Sequence, residues 1–327
     1  MDDKIQVIFV GPDMLFSEAI TSDYSVPVIF TESRKKVKSL FLKIIRKIHF
    51  SSKVNRIINI PFKQIWAVDL SQYVTDMSTE YYFIFTNATL CPILPKKLID
   101  LKNKGNVHYI MLWGDPYNSE YSVQARYYYS KIKFDYIFNI NYNEAVERGF
   151  IYTYVPYNYK KPNDKFILKN DICFAGAAKD RLDFLLKIYE NLISNGISVS
   201  YRIVGVDKKQ QRYNDKIVYN KQVPYESILE TVYESNCILE VLAYKQTGAT
   251  LRYYEAVVNN KKLLTNNKNV VNLPFYNPDY IHVFETADDI DTKWIIERSN
   301  VDYHYDGRFS MSHFVDRIIA MESEKEK

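Results

Sequence analysis

One strand that turns directly into a helix decides the fold class of this chain. Residues 171–194 read DICFAGAAKDRLDFLLKIYENLIS, a short apolar run followed by small residues and then by apolar residues at helical spacing. The run predicts a strand over Asp171–Ala175, and the spacing predicts a helix over Lys179–Ser194. A strand joined this closely to a helix is typical of α/β layers.

Comparable apolar runs occur on both sides of this stretch. The predicted strands are Ile5–Val10, Tyr81–Thr86, His108–Trp113, Tyr136–Ile140, Tyr201–Val204, Cys237–Val241, Leu263–Thr265 and Ile281–Phe284. Further helices are predicted over Pro224–Ser235, Thr250–Val258 and Ser312–Met321. Because helical patterns separate most of the strands, the sequence predicts parallel sheets covered by helices.

The chain length and one polar stretch indicate two domains. A chain of 327 residues is long enough for two domains of ordinary size. Residues 158–165 form the best linker. We therefore expect a first domain over residues 1–157, a second over 158–307, and a terminal helix with a charged tail over 308–327.

Composition excludes several classes of protein. Hydrophobic residues make up 47% and charged residues 25%, which excludes a mainly disordered chain. The three cysteines and five histidines are scattered, without CxxC or HExxH spacing, so no metal site is expected and a reducing compartment is favoured. No apolar stretch approaches the ~20 residues of a spanning helix. A net charge of +4 gives little support for nucleic acid. A soluble or peripheral cytoplasmic protein is expected.

Small and basic residues follow the strand Asp171–Ala175. Gly176 lets the backbone approach a ligand, and Lys179 and Arg181 are predicted in the first turn of the helix, where the dipole is already positive. An anion such as phosphate would stabilise that arrangement. The alternative is a solvated turn whose basic side chains face water.

A second segment, residues 246–256 (QTGATLRYYEA), follows another predicted strand and also begins a helix. Gly248 permits close approach, and Thr247 and Thr250 can cap the helix or donate hydroxyls. Glu255 is predicted at the border of the buried stripe, where a carboxylate can accept hydrogen bonds from a ribose. The alternative is a surface pair between Arg252 and Glu255 at i,i+3 spacing.

Both segments are predicted at the carboxyl ends of strands, where open α/β sheets bind ligands. No GxGxxG motif follows a strand, so a dinucleotide cofactor is disfavoured and no cofactor is expected.

The order of these motifs resembles the carboxy-terminal domain of bacterial GT-B glycosyltransferases that build lipopolysaccharide, O-antigen or capsule. It rests on Phe174-Ala-Gly-x-x-Lys179-x-Arg181, Gln246-Thr-Gly-x-Thr-x-Arg-x-x-Glu255-Ala and Asn277-Pro278. In the first half, Leu112-Trp113-Gly114-Asp115-Pro116, Phe134-Asp135-Tyr136-Ile137-Phe138 and Tyr154-Val155-Pro156 are similar to its segments. The resemblance implies an α/β fold of two Rossmann-like domains facing a cleft.

The resemblance also implies a donor site in the second domain for a nucleoside-diphosphate sugar, with UDP favoured. The implied donor-binding residues are Gly176, Lys179, Arg181, Thr247, Gly248, Thr250, Arg252 and Glu255. The better-known family pattern has two glutamates eight positions apart, and this chain carries Thr247 where the first would be. The stereochemistry of transfer therefore stays open.

An inverting reaction needs a base for the acceptor hydroxyl. Asp13 and Asp115 follow strands of the first domain and are the candidates, although both also fit as turn residues.

The stretch Ser33–Arg56 is basic and carries no acid. Its apolar residues recur at helical spacing, which predicts an amphipathic basic helix that lies on anionic lipid. The membrane-contact candidates are Lys35, Lys36, Lys43, Arg46 and Lys47. The alternative is an ordinary core helix with a solvated basic face.

Together these features predict a metal-independent glycosyltransferase, peripheral at the inner face of the cell membrane. It would move a sugar to a lipid-linked or cell-surface saccharide, with an anionic membrane surface and no nucleic acid as partner. Two alternatives stay open: a non-catalytic carbohydrate- or nucleotide-binding protein of the same fold, and a nucleotide-sugar epimerase.

Overall fold

The structure is a computed structural model that describes residues 4–11, 24–58, 60–87, 89–119, 122–157, 166–243, 246 and 248–325. Contacts between residues divide the chain into two compact units. Unit 1 comprises residues 1–156 and 311–327, and unit 2 comprises residues 157–310.

The described part of unit 1 contains a six-stranded parallel sheet. Its strands are β1 (Lys4–Val10), β2 (Val28–Thr31), β3 (Thr79–Thr86), β4 (Val107–Trp113), β5 (Tyr136–Asn139) and β6 (Ile151–Tyr152). They lie in the order β2-β1-β3-β4-β5-β6. Every residue of β4 except His108 is buried, because a central parallel strand is covered on both faces.

The helices of the two units follow in chain order. They are α1 (Leu40–His49), α2 (Ser52–Ile57), α3 (Pro95–Lys102), α4 (Val123–Tyr129), α5 (Tyr142–Arg148), α6 (Leu182–Ser194), α7 (Tyr225–Tyr233), α8 (Leu251–Val258), α9 (Thr292–Ile296) and α10 (Met311–Lys325). Helix α10 belongs to unit 1, where Phe314 packs edge-on against Phe138 of β5. Alternate residues of β3 point to opposite faces, so Phe83 and Ile84 lie in two separate core clusters.

The described part of unit 2 contains a second six-stranded parallel sheet. Its strands are β7 (Asn170–Ala177), β8 (Val199–Val204), β9 (Val218–Tyr219), β10 (Ser235–Glu240), β11 (Lys262–Thr265) and β12 (Ile281–Val283). They lie in the order β12-β11-β10-β7-β8-β9. Helix α6 buries Leu185, Leu186 and Leu192 in the core of this unit, and each such side chain stabilises the fold by ~1.5–3 kcal/mol.

The predicted α/β fold with two Rossmann-like sheets is confirmed. Three strands were missed, namely β2, β6 and β9, which lie at or next to sheet edges and are only two to four residues long. The predicted start of the helix at Lys179 was wrong. Lys179 has φ +48°, a left-handed conformation that cannot continue a right-handed helix, and α6 begins at Leu182.

Candidate functional site

The order of strands in unit 2 places a topological switch between β7 and β10. From β7 the chain passes through α6 to β8 on one side, and it later returns to β10 on the other side. Both strands run parallel, with Ile172 opposite Cys237 and Cys173 opposite Ile238. The segments that follow Ala177 and Glu240 therefore leave from the same edge of the sheet, and in open α/β sheets ligands bind at such a point.

The first predicted segment lies at the end of β7. The Arg181 guanidinium folds back over it and donates a hydrogen bond from Nη2 to the carbonyl oxygen of Ala177 at 3.0 Å. A Cβ on Gly176 would lie 3.1 Å from the ring of Phe174 and 3.5 Å from Arg181 Nη2, so glycine keeps this approach open. Lys179 is exposed.

Arg181 is in the turn before α6, where it is the N-cap residue, and not in the first helical turn. Burial lowers the pKa of its guanidinium, and the charges of Asp180, Glu240 and Arg252 also act on it. The last two belong to the β10–α8 segment, so the two predicted segments meet electrostatically at one edge.

Thr250 is the N-cap residue of α8, as the sequence predicts for a hydroxyl at this position. Its Oγ1 accepts a hydrogen bond from the backbone N–H of Arg252 at 3.2 Å. The same hydroxyl donates to Glu240 Oε1 at 2.6 Å, and the Thr250 backbone N–H donates to that oxygen at 2.9 Å. Gly248 lies in the preceding turn, and Thr247 is outside the described residues.

Glu240 is one residue of the candidate site that the sequence did not single out. It is the last residue of β10 and is fully buried, and its second oxygen accepts a hydrogen bond from Thr265 Oγ1 of β11 at 2.6 Å. One carboxylate therefore fixes the start of α8 against the ends of two strands. Burial raises the pKa of Glu240 despite these donors. The signal was an acid inside the apolar run Cys237–Val241.

Arg252 and Glu255 form a pair inside the protein and not on its surface. Arg252 Nη1 lies 2.5 Å from Glu255 Oε2, although this oxygen has no aligned hydrogen bond among the described residues, so the contact is an ion pair. Tyr225 donates to Glu255 Oε1 at 2.7 Å. Glu255 has no exposed surface, so the sequence was wrong to place it at the border of the buried stripe.

Burial raises the pKa of Glu255, and the positive charge of Arg252 opposes that shift. In this arrangement Glu255 holds Arg252 in place, and its ribose contact stays a prediction.

A polar amide lies close to these groups. Asn267 follows β11 two residues after Thr265, and its backbone N–H donates to Thr265 Oγ1 at 2.9 Å. The side chain is buried, and its Nδ2 has no hydrogen-bond partner in the described part of the chain. A donor without an acceptor at this edge is a further group that a ligand oxygen could satisfy.

In unit 1 the candidate base Asp115 follows β4 at the carboxyl edge of its sheet. Asn87, just after the neighbouring strand β3, donates from Nδ2 to Asp115 Oδ2 at 2.7 Å. The Asn87 Oδ1 accepts a hydrogen bond from the backbone N–H of Gly114 at 3.0 Å, so this amide fixes the turn and the carboxylate together. The sequence did not single out Asn87. Asp13, the other candidate base, lies outside the described residues.

The basic candidates lie in and before α1. Lys35, Lys36, Lys43 and Lys47 are exposed, and Arg46 is half-buried because its Nη1 donates to the carbonyl oxygen of Lys35 at 2.7 Å. The predicted single helix over this stretch is divided into α1 and α2.

The described residues contain neither a candidate metal site nor a candidate membrane span. No cluster of three or more His, Cys, Asp or Glu side chains could hold a metal ion there. No described helix combines the length and the apolar character needed to cross a bilayer.

No protein-family model matches this chain, and no curated protein matches it. The chain is similar to solved structures of glycosyltransferases. The glycotransferase of kitacinnamycin is 9% identical, with 90% of this chain and 89% of that chain covered, at a TM-score of 0.44. SsfS6, a Streptomyces sp. SF2575 glycosyltransferase, is 10% identical, with 80% of this chain and 81% of that chain covered, at a TM-score of 0.39. The glycosyltransferase SnogD from Streptomyces nogalater is 11% identical, with 83% of this chain and 85% of that chain covered, at a TM-score of 0.40. Because these TM-scores are below 0.5, the function is inferred from this chain's own residues.

Proposed function

We propose that this chain is a GT-B-type glycosyltransferase that binds a nucleoside-diphosphate sugar, UDP-sugars foremost, at the carboxyl edge of the sheet in unit 2. One observation carries the proposal. The two segments that the sequence singled out for anion binding leave from adjacent strands, β7 and β10, at the topological switch of one parallel sheet.

The diphosphate would lie between the turn after β7 and the start of α8. Arg181 supplies a fixed positive charge, Lys179 supplies an exposed one, and Gly176 and Gly248 leave room for the phosphate oxygens. The dipole of α8 adds partial positive charge at the start of this helix. The backbone N–H groups of Thr250, Arg252 and Tyr253 already donate hydrogen bonds within the protein, so the contribution is that of the helix dipole. Groups held in place before the reaction stabilise the charge that develops on the departing diphosphate, and this chemistry requires no metal.

The acceptor would be a lipid-linked or cell-surface saccharide at the cytoplasmic face of the membrane, as in the lipopolysaccharide and capsule enzymes that the sequence resembles. Asp115 is the described candidate for the base that takes the proton from the acceptor hydroxyl. Asn87 supports this role because it orients the carboxylate.

Nucleotide binding tests the donor site. Arg181→Gln removes the cation at the carboxyl edge, and Arg298→Gln removes one that pairs with Asp171 near the start of β7, at the opposite edge. We expect the Kd for UDP, measured by calorimetry, to rise about 10–100-fold in Arg181→Gln, which corresponds to one lost charge-assisted hydrogen bond. The Arg298→Gln variant should bind as the wild type does. Equal affinities in the two variants would exclude the site.

Transfer assays separate the enzyme from a non-catalytic binding protein. UDP-, GDP-, CMP- and dTDP-sugars are first ranked by thermal shift, since a ligand at 100 times its Kd stabilises the protein by ~2.7 kcal/mol. The best donor is then incubated with lipid-linked saccharide, with and without a chelator. Asp115→Asn should abolish transfer and leave donor binding intact, whereas Asp100→Asn, an exposed carboxylate on α3, should change neither. Donor binding without transfer or hydrolysis would point to the non-catalytic alternative.

A further inference from the structure

Residues 34–67, all but Asn59 of which the structure describes, form an excursion that begins after β2 of unit 1 and ends where Ala67 pairs with Arg34. The excursion is closed at its neck by an antiparallel bridge between Arg34 and Ala67. The backbone N–H of Lys35 donates to the carbonyl oxygen of Trp66 at 2.7 Å, and the N–H of Val68 donates to the carbonyl oxygen of Ser33 at 3.1 Å. These contacts make the excursion a defined element that contains α1 and α2.

Side chains fix the interior of the excursion. Trp66 donates from Nε1 to His49 Nδ1 at 3.0 Å, which ties the end of α1 to the last residues of the excursion. The guanidinium carbon of Arg34 lies 3.8 Å from the centre of the Phe50 ring, close enough for a cation–π contact. The element is therefore held together by its own contacts.

The apolar side of α1 is exposed. The sequence left open whether this helix is part of the core. In the structure none of its residues is buried, so it is not a core helix. Leu40 is 73% exposed and Phe41 69% exposed, and Ile44 and Ile48 continue the same stripe. An amphipathic helix of a globular domain normally packs such a stripe on the core.

The end of α2 and the residues that follow it, up to Ile65, add further apolar side chains. Ile57 is 84% exposed and Phe62 is 66% exposed, and Ile58 and Ile65 are also exposed. Phe62 has φ +63°, a left-handed conformation that is unusual for a bulky residue and that holds a large ring out in solvent. Exposed apolar side chains concentrated in one element mark an interaction surface.

The charge of this element selects the partner. Residues 34–67 contain ten Lys or Arg residues and no Asp or Glu. A second copy of the same surface would be repelled by this charge. Nucleic acid would satisfy the charge but would leave the aliphatic side chains without an apolar partner. An anionic bilayer matches both, because its lipid headgroups attract the cations and its acyl boundary accepts the apolar side chains.

We propose that residues 34–67 are a membrane-docking element, which inserts the apolar side of α1 and Phe62 into the headgroup boundary of an anionic bilayer. The exposed lysines flanking this side, among them Lys36, Lys43 and Lys47, lie against the lipid phosphates. The proposal deepens the function given above but does not depend on sugar transfer, because membrane binding is measured without a donor.

The position of the element connects it with the acceptor. Thr31 at the end of β2 lies opposite Val10 at the end of β1, and all strands of this sheet are parallel. The excursion therefore leaves from the carboxyl edge, which is also the edge that carries Asn87 and Asp115. A saccharide on a membrane lipid would reach the protein at the edge where the candidate base lies.

Vesicle sedimentation tests the proposal with the full chain. We expect binding to phosphatidylcholine vesicles that contain phosphatidylglycerol, at least tenfold weaker binding to phosphatidylcholine alone, and loss of binding as salt is raised. Leu40→Ser with Phe41→Ser should weaken binding more than about a hundredfold, since two large apolar side chains no longer leave water. Tyr142→Ser with Val146→Ser, exposed on α5 of the same unit, is the matched control and should bind as the wild type does.

The contribution of the lysine charges to membrane binding is tested with a second variant and a matched control. Lys43→Gln with Lys47→Gln should weaken binding about thirtyfold, and Lys96→Gln with Lys97→Gln on α3 should have no effect. Circular dichroism checks that each variant is folded. The proposal is overturned by absent binding to anionic vesicles, by equal losses in a variant pair and its control, or by light scattering that shows a dimer which Leu40→Ser with Phe41→Ser converts to a monomer.

Discussion

Replacing Thr250 with valine tests how the start of α8 is held. Valine has nearly the shape of threonine but lacks the hydroxyl, which has two functions in the structure. It accepts the hydrogen bond from the backbone N–H of Arg252 and donates one to the buried carboxylate of Glu240. Thr250→Val removes both contacts and leaves the backbone fold of the turn unchanged.

The size of the effect follows from these two contacts. Loss of a helix N-cap costs about 1 kcal/mol. Loss of a hydrogen bond to a buried carboxylate costs about 1.5–3 kcal/mol, because Glu240 is fully buried and solvent cannot replace the hydroxyl. Thr250→Val should therefore lower the free energy of unfolding of unit 2 by about 2.5–4 kcal/mol. Thr250→Ser keeps the hydroxyl and should lose less than about 1 kcal/mol.

Urea unfolding followed by fluorine NMR reports unit 2 by itself. The chain has three tryptophans, and Trp294 lies in unit 2 whereas Trp66 and Trp113 lie in unit 1. In protein labelled with 5-fluorotryptophan, the Trp294 signal should show its midpoint shifted by about 1–2 M urea in Thr250→Val. The two signals of unit 1 are the internal control.

The comparison with serine decides the outcome. If Thr250→Val and Thr250→Ser unfold at the same urea concentration, the hydroxyl does not hold the helix and Glu240 is not its acceptor. If Thr250→Val also binds UDP more weakly while Thr250→Ser does not, the preformed start of α8 contributes to the donor site.

Three further predictions concern stability. Glu255→Gln should lower the free energy of unfolding of unit 2 by about 3 kcal/mol, because it leaves a buried arginine without its counter-charge. Tyr225→Phe removes one hydrogen bond to the same carboxylate and should lower it by about 1–2 kcal/mol. Equal losses of stability in urea would contradict the ion pair. Gly11→Ala should lower the free energy of unfolding by about 3 kcal/mol and Gly149→Ala by about 1 kcal/mol. Both glycines have a left-handed backbone, with φ +67° and +66°, but only at Gly11 would the added Cβ lie 2.7 Å from a threonine methyl carbon. Similar unfolding midpoints in the two variants would refute the steric argument. Burial lowers the pKa of Lys261 to about 8, so above that pH the unfolded chain binds more protons than the folded one. The free energy of unfolding of the wild type should therefore rise by about 1 kcal/mol between pH 8 and 9 relative to that of Lys261→Met. If the unfolding free energies of the two proteins change in parallel over this pH range, the lowered pKa of Lys261 is excluded.

The fold could be predicted because its central strands are buried on both faces. Such strands are nearly continuous apolar runs, and β3 and β4 stand out in the sequence for this reason. The short strands β2, β6 and β9 carry too few residues to show a pattern. The start of α6 was misplaced because residue type gives little indication of the left-handed conformation of Lys179.

The candidate site was predictable only in part. The glycine, threonine and arginine positions follow from what a turn before a helix requires. The role of Glu240 does not. Glu240 lies 10 residues before Thr250 in sequence, and Thr265, which donates to its second oxygen, lies 25 residues after it and meets it only when β10 and β11 pair. In the same way, periodicity showed that α1 has an apolar side but not whether anything covers it.

The two arginines of the candidate site differ in what a phosphate would have to displace. Arg252 is paired with the fully buried Glu255, and separating such a pair costs about 3–5 kcal/mol. A hydrogen bond to a phosphate returns only about 1.5–3 kcal/mol, so a diphosphate does not draw Arg252 away from its partner. Arg181 forms no ion pair with any described residue, and its Nε has no acceptor there. In the proposed donor site we therefore expect Arg181 to make the diphosphate contact, and we expect Arg252 with Glu255 to support the helix that begins beside it.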